Sequence, residues 1–136
     1  MILPKKIQDI IEDFKSLETN TEKYEELLTY ADDLAEMPAE YKVQENLVPG
    51  CTSVVYIKTT IKEGKVQFFG SADSYLVKGL VAILINSFSG TEAKDFLEVQ
   101  PDFLTELGLA ETLSATRANA SINIFNMMKK QTRLLF

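Results

Sequence analysis

Val54-Val55-Tyr56-Ile57-Lys58-Thr59-Thr60-Ile61-Lys62-Glu63-Gly64-Lys65-Val66-Gln67-Phe68-Phe69 is a stretch of period two in a chain whose remaining pattern is helical. Alternation puts Val55, Ile57, Thr59 and Ile61 on one face and Val54, Tyr56, Lys58 and Thr60 on the other, as in a half-buried strand. Glu63-Gly64 fits a tight turn, and Lys65 to Phe69 returns as the second strand of a hairpin. An isolated hairpin is marginal in water, so helices must cover one of its faces.

Those helices are written on both sides. Towards the N-terminus, Ile7, Ile10, Ile11, Phe14 and Leu17 form one helical stripe after Pro4. Thr19-Asn20-Thr21 offers an N-cap for a second stripe of Tyr24, Leu27, Leu28, Ala31, Leu34 and Ala35, which Pro38 should end. Residues 38–50 read as a connecting loop. Beyond the hairpin, Asp73 or Ser74 can cap Tyr75 to Asn86, which is apolar nearly all round and belongs in the core. Gly79 in its middle costs about 1 kcal/mol against alanine, which implies close approach of another backbone. Thr91 can cap a short helix through Leu97, Pro101 to Leu109 reads as another, and Ser114 caps a last helix on which Ala118, Ser121, Ile122, Phe125 and Met128 share a face.

Helices, a hairpin, then helices, with no β-α-β alternation, predict an α+β fold with a small antiparallel sheet covered by helices. The 136 residues suit one domain, 1–136, with no repeat, low-complexity segment or second boundary. The composition, 46% hydrophobic and 25% charged, is that of a globular protein. The N-terminal Met-Ile-Leu-Pro-Lys-Lys lacks the pattern of a signal peptide, and the longest apolar run, Tyr75 to Ile85, is interrupted by Lys78 and Gly79 and too short for a membrane span. A cytoplasmic, membrane-free protein is the expectation.

Net charge is −6, and residues 1–50 hold twelve acids against five bases. Outside Lys129-Lys130 no cationic cluster could meet a phosphate backbone, so nucleic acid is not an expected partner. The acidic third reads as solvated helix faces or as a surface for a basic patch on a partner protein.

The chain has no histidine and a single cysteine, Cys51. It can form neither a Ser-His-Asp nor a Cys-His pair, and one thiolate cannot close a zinc or iron–sulfur site within one chain. No phosphate-binding or dinucleotide motif is present, and an internal disulfide is excluded. Covalent chemistry, where there is any, points to Cys51. It follows Leu47-Val48-Pro49-Gly50, and Pro-Gly is a turn signal, so the thiol is expected exposed at the mouth of a turn. Taken alone, a lone cysteine is as readily a small buried hydrophobe.

Three spaced blocks then resemble a known family. The run Asn46-Leu47-Val48-Pro49-Gly50-Cys51-Thr52-Ser53-Val54-Val55-Tyr56, the run Phe69-Gly70-Ser71-Ala72-Asp73 with Leu76-Val77-Lys78-Gly79-Leu80, and Leu113-Ser114 with Arg117 are similar to SufE-like proteins. These are sulfur acceptors for cysteine desulfurases in iron–sulfur cluster assembly. The resemblance implies a SufE/NifU-like α+β fold and makes Cys51 the position that takes persulfide sulfur. It implies partner binding or loop support for Gly50, Asp73 and Arg117. This chain has Ala72 where the family commonly has serine, Ser114-Ala115-Thr116-Arg117 for Ser-Pro-Ser-Arg, Ala120 for glycine, and no tryptophan. The implied partners are a SufS-like cysteine desulfurase, which would hold the pyridoxal phosphate, and a downstream Fe–S scaffold. No cofactor of its own is implied. The reading from a different class is a protein-binding adaptor in which Cys51 is structural. A thiol peroxidase or reductase would need a base or a resolving cysteine, and a NifU-type scaffold more ligands than one thiol.

Overall fold

The computed structural model describes residues 3–110 and 112–136; of the N-terminal stretch, Met1 and Ile2 lie outside them. Strands β1 (Val55–Lys62) and β2 (Lys65–Ala72) pair antiparallel, from Val55 opposite Ala72 to Lys62 opposite Lys65. Glu63 and Gly64 take φ of 54° and 80°, the left-handed pair of a type I′ turn, whose twist matches that of the strands. Val55, Ile57 and Thr59 are buried on the face the alternation assigned to them. The second strand runs on past Phe69 to Ala72 because β1 offers backbone partners that far.

Helix α1 (Lys5–Ser16) buries Ile7, Ile10, Ile11 and Phe14. Helix α2 (Asn20–Ala31) begins with a capping box, in which the Thr19 hydroxyl accepts from Glu22 N and the Glu22 carboxylate accepts from Thr19 N. It stops at Ala31, well before Pro38. Asp32 and Asp33 follow, and two carboxylates at the negative end of a helix dipole disfavour another turn. Leu34 and Ala35 therefore lie outside the helix, and Met37 is the buried residue of that stretch. Single 3₁₀ turns at Ala39–Tyr41 and Gln44–Asn46 carry the chain on towards β1.

Helix α3 (Tyr75–Phe88) is capped by Ser74 and buries eleven of its fourteen residues. It packs on β2, α1 and α2. At Gly79 a Cβ would stand 2.3 Å from the Leu27 carbonyl oxygen, so the glycine is where two helix backbones touch. Short helices α4 (Ala93–Glu98) and α5 (Phe103–Glu106) follow. The residue preceding α4 is Glu92, and its side chain makes no cap; Thr91 bonds back to Phe88 O at 2.6 Å instead.

Helix α6 (Ala115–Leu135), capped by Ser114, crosses β1, α3 and α4. Its buried face is Ala120, Ile124, Phe125, Met127, Met128, Lys129 and Thr132, while Ile122 is 41% exposed. Of the expected stripe, Phe125 and Met128 are buried and Ala118 packs against the core, while Ile122 faces outward. Lys129 joins this buried face. Its ammonium stands 5.9 and 5.8 Å from the ring centroids of Phe96 and Phe125 and donates to Leu97 O and Val99 O, both at 2.6 Å, satisfying carbonyls at the end of α4. Phe88, Phe96, Phe103 and Phe125 meet beneath it at ring separations of 5.2–5.9 Å.

Gly79→Ala tests the backbone contact between α2 and α3. A gain in helix propensity of about 1 kcal/mol competes with overpacking against a carbonyl that cannot rotate away. The variant is expected to lose about 2 kcal/mol in urea unfolding; stability equal to or above the native value would show that the helices separate freely.

Candidate functional site

The loop that carries the single thiol is closed at its base. Val48 N donates to Val55 O at 2.8 Å, and Leu47 bridges to Tyr56, so the residues ahead of the loop lie along β1. On the other side, Val54 N donates to the Asp73 carboxylate at 2.9 Å and Asp73 N donates to Val54 O at 3.2 Å. Asp73 sits between β2 and α3, and the helix cap falls to Ser74. Residues 49–53 form the tip.

At the tip Gly50 has φ of +80°, the conformation a type II turn requires of the residue after proline. Its carbonyl accepts from Asn123 Nδ2 at 3.2 Å. Glycine is needed here for its φ, and a Cβ on Gly50 would in addition stand 3.0 Å from that same nitrogen. Gly50 also shares a shallow cavity of about 300 Å³ with Thr116, Asn119, Ile122 and Asn123 of α6. Asn119 and Ile122 also line a neighbouring groove of about 330 Å³ between α5 and α6.

Cys51 is half-buried, packed partly against the core, rather than exposed at the turn's mouth. Burial pushes its thiol up from the ordinary value, and the Asn123 amide, hydrogen-bonded to the sulfur, opposes this with a smaller effect. No charged side chain is among the causes. The resting loop thus holds a protonated thiol, in contrast to the activated cysteines found beside cations or helix N-termini.

The family profile described as "SufE: Fe-S metabolism associated domain" matches residues 8–132. The chain belongs to the SufE family. A SufE-like protein of Synechocystis is 41% identical over 127 residues, which cover 93% of this chain and 80% of the relative. The "cysteine desulfuration protein SufE" of Plasmodium falciparum is 33% identical over 133 residues, covering 93% of this chain and 53% of that protein. This chain therefore spans about half the length of the Plasmodium relative. A solution structure of a hypothetical protein from Thermus thermophilus shares the fold, with a TM-score of 0.83 at 24% identity and 98% coverage of both chains.

Within this SufE-family site the predicted residues divide. Gly50, Cys51 and Asp73 meet around one loop, with Asp73 at its base. Arg117 lies exposed on the first turn of α6, between Thr116 and Asn119 of the Gly50 cavity. Among the described residues its guanidinium enters no ion pair. Asn123 was absent from the sequence reading. A polar residue between Ile122 and Ile124 carries no signal of its own, and Gly50 lies 73 positions away. Among the described residues no group of three or more His, Cys, Asp or Glu side chains could hold a metal ion, and no helix is long and apolar enough to cross a membrane.

Alkylation follows the thiolate, so the raised thiol has a direct readout. The rate of Cys51 carboxamidomethylation is expected to rise with pH through a midpoint above that of free cysteine measured alongside. A midpoint at or below free cysteine would mean that the loop activates its own thiol.

Proposed function

We propose that this SufE-family protein accepts persulfide sulfur from a cysteine desulfurase onto Cys51, stimulates the desulfurase, and passes the sulfur on to a scaffold for iron–sulfur cluster assembly. The observation that carries the reading is the placement of the chain's one thiol at the tip of a base-closed loop in a SufE-family fold. The cysteine desulfuration named for the Plasmodium relative supports it.

The transfer is a thiol exchange. The Cys51 thiolate attacks the terminal sulfur of the partner's persulfide; a new S–S bond forms at Cys51 Sγ, the partner's S–S bond breaks, and its thiolate leaves and takes up a proton. The sulfane sulfur changes carrier with no net oxidation. This chain supplies the nucleophile and the loop. Its thiol rests protonated, so the deprotonation falls to the partner's site, a SufS-like desulfurase whose pyridoxal phosphate generates the persulfide. In this scheme the protein is an accessory factor rather than an enzyme, working in the cytoplasm. Asp73 holds the loop base, and exposed Arg117 is free to meet the partner.

The half-buried thiol gives the adaptor reading its one support. Intact-mass spectrometry without reductant, after mixing with a cysteine desulfurase and free cysteine, separates the two. The native chain is expected to gain one or more sulfur atoms that dithiothreitol removes, and Cys51→Ser to gain none, to lose stimulation of the desulfurase, and still to bind it. Stimulation undiminished in Cys51→Ser would remove the sulfur-carrier reading.

A further inference from the structure

Helix α6 makes two polar ties to the segment that leads into β1, and they differ in kind. The first is partly buried and multiple. Gln131 Nε2 donates to Ile57 O at 2.7 Å and to Asn46 Oδ1 at 3.4 Å, while Gln131 Oε1 accepts from the Thr59 hydroxyl at 2.8 Å. Asn46 in turn donates to Tyr41 O at 2.8 Å. Asn46 and Thr59 are 6% and 1% exposed, so opening this network would strand buried polar groups at about 1–3 kcal/mol each. The segment up to Asn46 is therefore fixed.

The second tie lies two helical turns earlier on α6, on the same side, and is slight. Asn123 Nδ2 donates to Gly50 O, and the same side chain acts to lower the Cys51 thiol against the larger effect of burial. Among the described residues, the hydrogen bonds to the tip (49–53) come from this one side chain. Gly50 is exposed and Asn123 half-buried, and the bond between them is open to solvent, where water can replace it. Meanwhile the loop base is fastened independently, through Val48 to Val55 and Val54 to Asp73. The tip can thus leave α6 while its base and the core stay in place.

We propose that Asn123 is the positioning residue of the sulfur-accepting loop: it holds the tip against α6 with Cys51 half-buried, and its release presents the thiol to the partner. The inference rests on the reading of Cys51 as the sulfur acceptor. It is consistent with the close approach at Gly50, where a Cβ would stand 3.0 Å from the Asn123 amide nitrogen. It also accounts for a carrier thiol that rests protonated and half-covered. In that state it is shielded from the oxidation that exposed thiolates undergo. A neutral amide suits the task, because it binds a carbonyl and a sulfur without adding the charge that would activate the thiol permanently.

The test uses the isolated protein with no desulfurase present. Carboxamidomethylation of Cys51 is followed against pH in the native chain, in Asn123→Ala, and in Asn123→Leu, which is of similar size and removes the donor without adding a charge. Release of one hydrogen-bonded contact is expected to raise the rate about fivefold at a given pH. Because burial outweighs the amide's effect on the thiol, the midpoint should also fall below the native one, with unfolding midpoints in urea unchanged. Rates equal to native, or slower rates with a raised midpoint, would overturn the proposal and leave Asn123 as a donor to the thiolate only. Sulfur loading by a desulfurase, measured on the same three proteins, keeps the two ideas apart. A native chain that does not load would end the acceptor reading, while the alkylation comparison would still decide the role of Asn123.

Discussion

Helix α3 buries eleven of its fourteen residues, with Leu80, Val81, Ile83, Leu84 and Phe88 at 2% exposure or less. Each such side chain contributes about 1.5–3 kcal/mol when removed from water, and only if every side of the helix is covered. The covering determines the architecture. Helix α2 comes within backbone contact at Gly79, β2 lies close enough at Gly70 that a Cβ would stand 2.5 Å from a Val81 methyl, and α1 and α6 close the remaining sides. The hairpin, marginal alone, gains its stability as one wall of this enclosure. The start of α3 then fixes Asp73, and through its paired bonds to Val54, the base of the Cys51 loop. The site is placed by the core, through a single carboxylate.

Helix α6 serves the loop from the opposite side. Its apolar residues join the phenylalanine cluster, while Asn123, Gln131 and Lys129 make polar contacts to three different segments. The contrast between these contacts is one of solvent. Lys129 and Gln131 bond carbonyls out of reach of bulk water, where an unmet partner is costly. Asn123 bonds at the rim, where water competes. One helix therefore carries both a permanent fastening and a weak one, spaced by two turns.

How much of this was legible follows from which forces are local. The alternation from Val55 to Ile61, the Glu63-Gly64 turn, the Ser114 cap and the apolar run from Tyr75 are local patterns, and each recurs in the structure where its physics placed it. Gly79 was informative because a glycine inside a helix needs a reason, and the Leu27 carbonyl is that reason. The end of α2 was misplaced because Pro38 is the louder signal, yet Asp32-Asp33 act first. On α6, Phe125 and Met128 fall on the expected face, but Lys129 was not placed there, because a buried lysine looks like solvent-facing punctuation until its carbonyl partners at the end of α4 are known. The glycine and cysteine of the candidate site stand out in the sequence through the rarity of the thiol and through the resemblance. Asn123 could not, since its meaning depends on a contact spanning most of the domain.

A chain without histidine constrains what its one thiol can do. A cysteine becomes a good nucleophile through a nearby base, a cation or a helix N-terminus, and none of these acts on Cys51, whose environment raises its thiol instead. On the proposed function, the activation of this thiol falls to the bound partner. For a carrier this is an advantage: a thiol that activated itself would react with small oxidants and electrophiles between encounters, and a persulfide held there would be discharged by any passing thiol. With no second cysteine in the sequence, no internal thiol can do so either. On the proposed function, the quiet resting thiol and the lightly held loop are two aspects of one requirement: sulfur should move only where the partner's site completes the chemistry.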